Sequence, residues 1–251
     1  MDNERSVSDY PRFGTPIEVG EALVNAGFDV FNMANNHVLD KGAYGVDTTV
    51  AFFKEHGLPY FGANGTSGYT GNYKDSVAFV EKDGITVAFL GYTYGMNGLH
   101  CPEEYPYMTE TFDDTDRMIR QIKYARANAD VVVVYAHWGR EYKTQPSRSQ
   151  VTWAQFFAEQ KVDIVIGSHP HVLQKTDVVT DSESGHETIV YYSLGNFVSG
   201  QQKPGTQEGG IAKITIAREA DGAVRIREHS LQKTRMILSE EGCWAELDTE
   251  N

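Results

Sequence analysis

Cysteine is nearly absent: Cys101 and Cys243 are the only two in 251 residues. That scarcity excludes a disulfide-stapled scaffold and a cysteine-rich zinc module, and leaves open whether the two pair. Long apolar runs are lacking too. The longest, such as 131–136, fall far short of the ~20 residues that span a bilayer. No apolar h-region follows Met1-Asp2-Asn3-Glu4-Arg5, so no signal peptide is visible. Basic residues are outnumbered, 22 Lys and Arg against 35 Asp and Glu, for a formal net charge of -13. Such a chain is a poor general binder of nucleic acid or of an anionic membrane surface. There is no G-x-G-x-x-G, no Walker A lysine loop, no G-x-S-x-G elbow, no internal repeat and no low-complexity tract. What is present is 40% hydrophobic and 12% aromatic, enough to bury a sizeable core in one large α/β domain or two small ones.

Strands and helices alternate along the chain, then give way to hairpins. A helix is predicted over 16–26, with Thr15, Pro16 and Glu18 at N-cap, N1 and N3 of a capping box and Gly27 as its stop. The segment 28–34 reads as a strand running into the polar turn Asn35-Asn36-His37, followed by a helix over 44–56 and a short strand over 58–61. Asp83-Gly84 between 77–80 and 85–91 predicts a β-hairpin. A helix over 114–128 carries the apolar stripe Met118, Ile119, Ile122 and Ala125. The run 131–136 reads as a strand buried on both faces and ending at His137. A helix over 148–160 opens on a second capping-box pair, Ser147 and Gln150, and the strand 162–166 ends in Gly167-Ser168-His169. Segments 176–180, 188–194, 211–217 and 223–230 read as antiparallel strands. The expected class is α/β, one domain over 11–238 with a loosely held acidic tail over 239–251.

Three loops carry the chemistry: Asn35-Asn36-His37 ending at Asp40, His137-Trp138-Gly139-Arg140-Glu141, and Gly167-Ser168-His169-Pro170-His171. Each follows a predicted buried strand, and ligands of open α/β sheets bind at the carboxyl ends of parallel strands. Parallel neighbours would therefore bring Asn36, His37, His137, His169 and His171 to one site. Imidazoles with an amide oxygen suit zinc, iron or manganese. Taken singly, His37 is as readily a turn residue and His137 a satisfied strand-end histidine. The His169-Pro170-His171 pair is stronger, since alternation about a proline projects both rings to one side of an extended turn. Glu141 is either a solvated charge or the carboxylate that orients an imidazole. Asn196, in Gly195-Asn196-Phe197, lines the same cleft or only makes a turn, and Tyr94, in the loop 92–98, shapes a substrate rim or sits in a glycine-rich connector. Arg12 and Lys41 are candidate contacts for an anion, and His56, His100, His186 and His229 have no such context.

The segments from Gly27-Phe28-Asp29-Val30 through Asn35-Asn36-His37-Val38-Leu39-Asp40, then His137-Trp138-Gly139 with Glu141-Tyr142, Gly167-Ser168-His169-Pro170-His171-Val172 with Gln174, and Tyr192-Ser193-Leu194-Gly195-Asn196-Phe197, resemble in order the CapA family of capsule-synthesis proteins. That family is associated with poly-gamma-glutamate capsule production and resembles calcineurin-like metallophosphoesterases. The resemblance implies a four-layer α/β/β/α sandwich with a two-metal site. It implies Asn36, His137, His169 and His171 as ligands of divalent transition metals (manganese, iron or zinc), and His37 as the acid or oxyanion-stabilising residue. Family members begin with a strand ending in Gly-Asp and a later Asn-Leu-Glu segment that supply acidic ligands. This chain shows neither, so it reads as a domain lacking its N-terminal part and first strand, and is expected to be nearly inactive without them.

The function expected from the resemblance is a metal-dependent phosphoesterase-like domain acting on an anionic polymer or phosphoester in capsule or poly-gamma-glutamate assembly. Two alternatives stand beside it: a non-catalytic accessory subunit of a membrane-bound polyglutamate synthetase, and a metal-dependent gamma-glutamyl amide hydrolase. The implied location is the cell envelope, with no nucleic-acid partner and no transmembrane segment in this chain.

Overall fold

The computed structural model describes residues 7–240 and 242–248. They fall into two units, Met1–Val80 with Ala88–Asn128, and Glu81–Val87 with Ala129–Asn251. The mixed α/β class is as expected. No helix of the described residues is long and apolar enough to cross a membrane. Cys101 and Cys243 are both free thiols, and burial pushes the Cys101 thiol above its ordinary value.

In the first unit, helix α1 (Ile17–Asn25) is capped by Pro16 with no side-chain cap bond. The expected Thr15 capping box does not form. The helix starts one residue later than predicted, so Thr15 lies outside the cap and a residue without a side-chain acceptor occupies it. Strand β1 is only Phe31–Asn32, paired in parallel with β2 (Tyr60–Phe61). It is shorter than 28–34 because asparagines bend the chain. Asn32 Oδ1 accepts from Ala34 N at 3.2 Å, and Asn35 Oδ1 accepts from His37 N at 2.8 Å. Both side chains offer the backbone an alternative to a sheet ladder. Helix α2 (Gly42–Glu55) buries Val46, Val50, Phe52 and Phe53 in a cluster with Met33, Leu39, Ala63 and Met108. Strands β3 (Ala78–Lys82) and β4 (Ile85–Thr93), whose segment Glu81–Val87 belongs to the second unit, flank Asp83 and Gly84, whose φ of 54° and 71° make the predicted two-residue hairpin turn. Helix α3 (Thr115–Asn128) buries Met118, Ile122 and Ala125 as expected, but also Arg117 and Gln121.

The second unit is built on β5 (Val131–His137) and β6 (Ile164–Ser168), parallel neighbours in register His137 to Ser168. Between them runs α4 (Arg148–Glu159), whose Ser147–Gln150 capping box is present in full. Strand β6 begins two residues later than predicted. Val162 N still donates to Phe157 O at 2.9 Å in the turn that ends α4, where Lys161 has φ 62°. Strands β7 (Thr176–Thr180) and β8 (Glu187–Tyr191) complete the order β5-β6-β8-β7, with β8 parallel to β6 and antiparallel to β7. A separate antiparallel sheet follows: β9 (Glu208–Arg218), β10 (Val224–Ser239) and β11 (Gly242–Leu247). Within the expected loose tail, Gly242–Leu247 instead form strand β11, because β10 runs on past the predicted end at 230 and offers Thr234 to Ser239 as a partner edge; 241 and 249–251 lie outside the described residues.

Candidate functional site

In the second unit His137 closes β5, and the His169-Pro170-His171 turn leaves β6 directly beside it. Main-chain geometry forces the approach. A Cβ on Gly167 would lie 2.0 Å from Tyr192 O, so only glycine lets β6 pass this closely. The turn itself is not the extended segment expected. His169 and His171 have φ of 92° and 60°, a region costing non-glycine residues about 1–3 kcal/mol each. The strain brings rather than alternates the rings: His169 lies 5.0 Å from His137 and 6.1 Å from His171 between centroids.

Donor atoms of Glu141, His169 and His171 all lie within 4.8 Å of one another. Metal bonds of ~2.1 Å put ligand atoms of one ion roughly 3–4 Å apart, so small rotations would close this set on a divalent transition metal. Glu141, expected only to orient an imidazole or to be solvated, is therefore near enough to be a ligand itself.

The nitrogen that faces a metal is set by what the other one does. Asn196 Nδ2 donates to Thr206 O at 3.0 Å and to Gln201 Oε1 at 3.3 Å, which fixes its amide orientation. Its Oδ1 then accepts from His171 Nδ1 at 2.9 Å, so the lone pair of His171 sits on Nε2. Asn196 thereby contacts His171 besides shaping its own turn. His137 Nδ1 lies 2.8 Å from Ser168 Oγ, so its Nε2 is the atom for ligation when Nδ1 carries the proton. Ser168 also hydrogen-bonds Tyr135, whose phenol is pushed above its ordinary value by burial, partly offset by that bond.

Two glutamines lock the loop that carries Glu141. Gln150 is fully buried. Its Oε1 accepts from Ser147 N at 2.9 Å, and its Nε2 donates to Gln174 Oε1 at 2.7 Å and Tyr192 O at 3.2 Å. Gln174 Nε2 donates in turn to Lys143 O at 2.7 Å. A Cβ on Gly139, whose φ is 90°, would meet Gln150 Oε1 at 2.6 Å, so loop and amide fit only with glycine there. Trp138 Nε1 donates to Tyr192 O at 2.9 Å.

Asn36, His37 and Asp40 come together in the first unit. His37 Nδ1 donates to Asp40 Oδ2 at 2.7 Å, and Phe13 N donates to the same oxygen at 2.8 Å. Asn36 Nδ2 donates to Asn97 Oδ1 at 3.1 Å. The Phe13 ring stands edge-on to His37 at 4.7 Å, and His37 lines a cleft of about 460 Å³ with Leu23, Phe31 and Val46. Tyr94 follows β4 and is 44% exposed. Lys41 Nζ bonds Ser8 Oγ, and the main-chain O of Arg12 accepts from the same hydroxyl. His56 and His186 bond backbone carbonyls, of Phe52 and Val162. The single sheet edge expected for all three loops holds for two. His137 and His169 follow neighbouring strands, whereas Asn36 and His37 follow β1, which belongs to another sheet.

Sequence reasoning missed Asn97, Ser168, Gln150 as a clamp, and the buried pair Glu110–Arg117. Only the last residue of the capping box, Gln150, carried a local signal. Arg117 lies on a helix that reads as amphipathic and gives no hint of its burial.

The family model for bacterial capsule synthesis protein PGA_cap matches residues 1–201. A capsule biosynthesis protein CapA of Bacillus anthracis is 37% identical over 206 residues, 79% of this chain and 47% of that protein. A PGA biosynthesis protein CapA of Bacillus subtilis (strain 168) is 31% identical over 208 residues, 82% of this chain and 52% of the relative. The chain thus spans about half the length of these relatives. Among solved structures, a candidate 5′-nucleotidase of Staphylococcus aureus in complex with alpha-ketoglutarate superposes over 86% of this chain and 39% of its own, with TM-score 0.52 and 16% identity. At that identity the likeness is one of fold.

Proposed function

The chain belongs to the bacterial capsule synthesis protein family PGA_cap, and from that membership we propose that it is a metal-dependent hydrolase of phosphoester type, working at the cell envelope in capsule or poly-gamma-glutamate polymer assembly. The observation that carries the reading is the donor set Glu141, His169 and His171, gathered within 4.8 Å, with both histidines on a strained turn. A divalent metal bound there supplies a lowered pKa for water and charge stabilisation at a phosphoryl or carbonyl oxygen. The residues' own parts are separate from that. His137 and His171 present Nε2 because Ser168 and Asn196 engage Nδ1. Glu141 adds the negative charge that imidazoles lack. His37 is assigned proton transfer, with Asp40 holding its Nδ1–H and so aiming Nε2. Asn36 is assigned the ligand role that the family resemblance implies.

The test is bound manganese, iron or zinc together with hydrolysis of an aryl phosphate, in the wild type and in His169→Ala. The variant is expected to lose about 100-fold in metal affinity and its turnover. Equal metal content and equal rate in the two proteins would sink the reading. The relatives are named for polymer biosynthesis rather than hydrolysis, which favours a second reading, an accessory subunit of a membrane-bound synthetase. Metal binding without turnover of any phosphoester or amide, with synthetase subunits co-purifying, is its signature; turnover of gamma-glutamyl amides in place of phosphoesters marks a gamma-glutamyl hydrolase.

A further inference from the structure

Beside the histidine cluster stands a cation that no motif announced. Lys203 Nζ lies 3.7 Å from the centroid of the Tyr142 ring. That ring stacks on His171, 5.9 Å between centroids at 22°. The arrangement is anchored from both sides. Tyr142, with φ 62°, donates its N–H to Pro170 O at 2.8 Å, inside the turn that carries the two histidines. The loop bearing Lys203 is closed by Thr206, fully buried, whose N and Oγ1 donate to Lys203 O at 3.0 and 2.7 Å. Thr206 O in turn accepts from Asn196 Nδ2 at 3.0 Å, and Asn196 is the residue that holds His171. One asparagine therefore ties the position of the imidazole to the position of the lysine loop.

The charge is placed against the chain's general tendency. Carboxylates outnumber basic groups by 35 to 22, yet among the described residues no carboxylate pairs with Lys203, and its partner is the Tyr142 ring. An aromatic face holds an ammonium without pairing it to a counter-ion, so no carboxylate competes there with an incoming anion. In a protein whose overall field repels anions, a local cation beside the histidine cluster gives an anionic substrate a reason to dock there.

We infer that Lys203, seated on Tyr142, is the receptor for an oxyanion of the substrate, a phosphate or a carboxylate, next to the His169–His171 cluster. The inference rests on the metal reading of that cluster and adds the residue that selects for negative charge. Lysine acts here as a point charge rather than a planar fork, so it tolerates either oxyanion, and the two are separated by experiment.

Wild type, Lys203→Ala, Lys203→Arg, Tyr142→Ala and a control at the exposed Lys213 of β9, Lys213→Ala, are first titrated with manganese, read by the spin resonance of free ion. The same manganese Kd is expected in wild type, both Lys203 variants and the control. Inorganic phosphate and glutarate are then titrated calorimetrically into the loaded proteins. Lys203→Ala is expected to weaken at least one anion about tenfold. Tyr142→Ala should shift it the same way, and Lys203→Arg should stay within about threefold of wild type. Weakening of phosphate alone points to a phosphoester substrate, and of glutarate alone to one bearing carboxylates. Equal anion affinities in wild type and Lys203→Ala, with manganese binding intact, overturn the inference. A wild type that binds none of manganese, iron and zinc overturns the metal reading, and this inference with it.

Discussion

In the first unit a carboxylate holds the imidazole: Asp40 accepts from His37 Nδ1. In the second an amide does the same for His171, through Asn196 Oδ1. The contrast extends to the clamps behind them. The first unit's loops are tied by Glu110 and Arg117, both under 5% exposed, with Arg117 Nε and NH2 each 2.8 Å from a Glu110 oxygen. Ser76 Oγ also donates to Glu110, NH1 of Arg117 donates to Gly71 O at 3.0 Å, and the guanidinium lies on the Tyr107 ring at 3.8 Å. Burial alone would lower the Arg117 pKa, but the hydrogen bonds and charge of Glu110 more than offset it and hold it above its ordinary value. The second unit uses Gln150 and Gln174 instead, neutral groups with every contact at hydrogen-bond distance. A neutral framework leaves Glu141 as the acidic member of the donor set, so a bound cation's charge is met by that set and not by its supports.

The largest expected effect breaks the charged clamp. Glu110→Ala leaves Arg117 buried without its counter-ion, and urea unfolding should show a loss of about 3–5 kcal/mol. A loss below about 1 kcal/mol would show that the first unit is not held by charge. Gln174→Ala breaks the neutral clamp and should cost less, about 1–3 kcal/mol on the same assay, since only uncharged amides lose partners. Equal losses in the two variants would erase the contrast. Smallest in energy is Asn196→Ala, which frees His171 Nδ1. Manganese affinity is expected to fall about tenfold, roughly 1.4 kcal/mol, with the unfolding midpoint near that of wild type. Unchanged manganese affinity would mean that the amide packs the loop without orienting the ligand.

Much of this was legible residue by residue. The Ser147–Gln150 box, the Asp83-Gly84 turn and the apolar run of β5 follow from local chemistry, and each appears where expected. Local chemistry also misled, because neighbouring signals compete. Thr15 and Pro16 both offer a helix start, and the later one is used. Asn32 and Asn35 turn a predicted seven-residue strand into a two-residue one. The acidic end looked unable to fold alone, and it does not: β11 exists because β10 lies beside it.

The sequence by itself determined the type of chemistry available. Histidines at strand ends, a glutamate a few residues on, and asparagines in polar turns are donor groups whatever the fold. Only the tertiary structure decided how they are used. Register between β5 and β6 sets His137 against Ser168, strain at 169 and 171 sets the ring separations, and Asn196 chooses which nitrogen of His171 carries the lone pair. Lys203 shows the division most clearly. In the chain it is one of 22 basic residues, and it acquires a role because its loop is closed onto the same asparagine that holds the imidazole. Contacts across dozens of residues carry no local signature, since their energy arises only when the chain brings distant groups within hydrogen-bond reach.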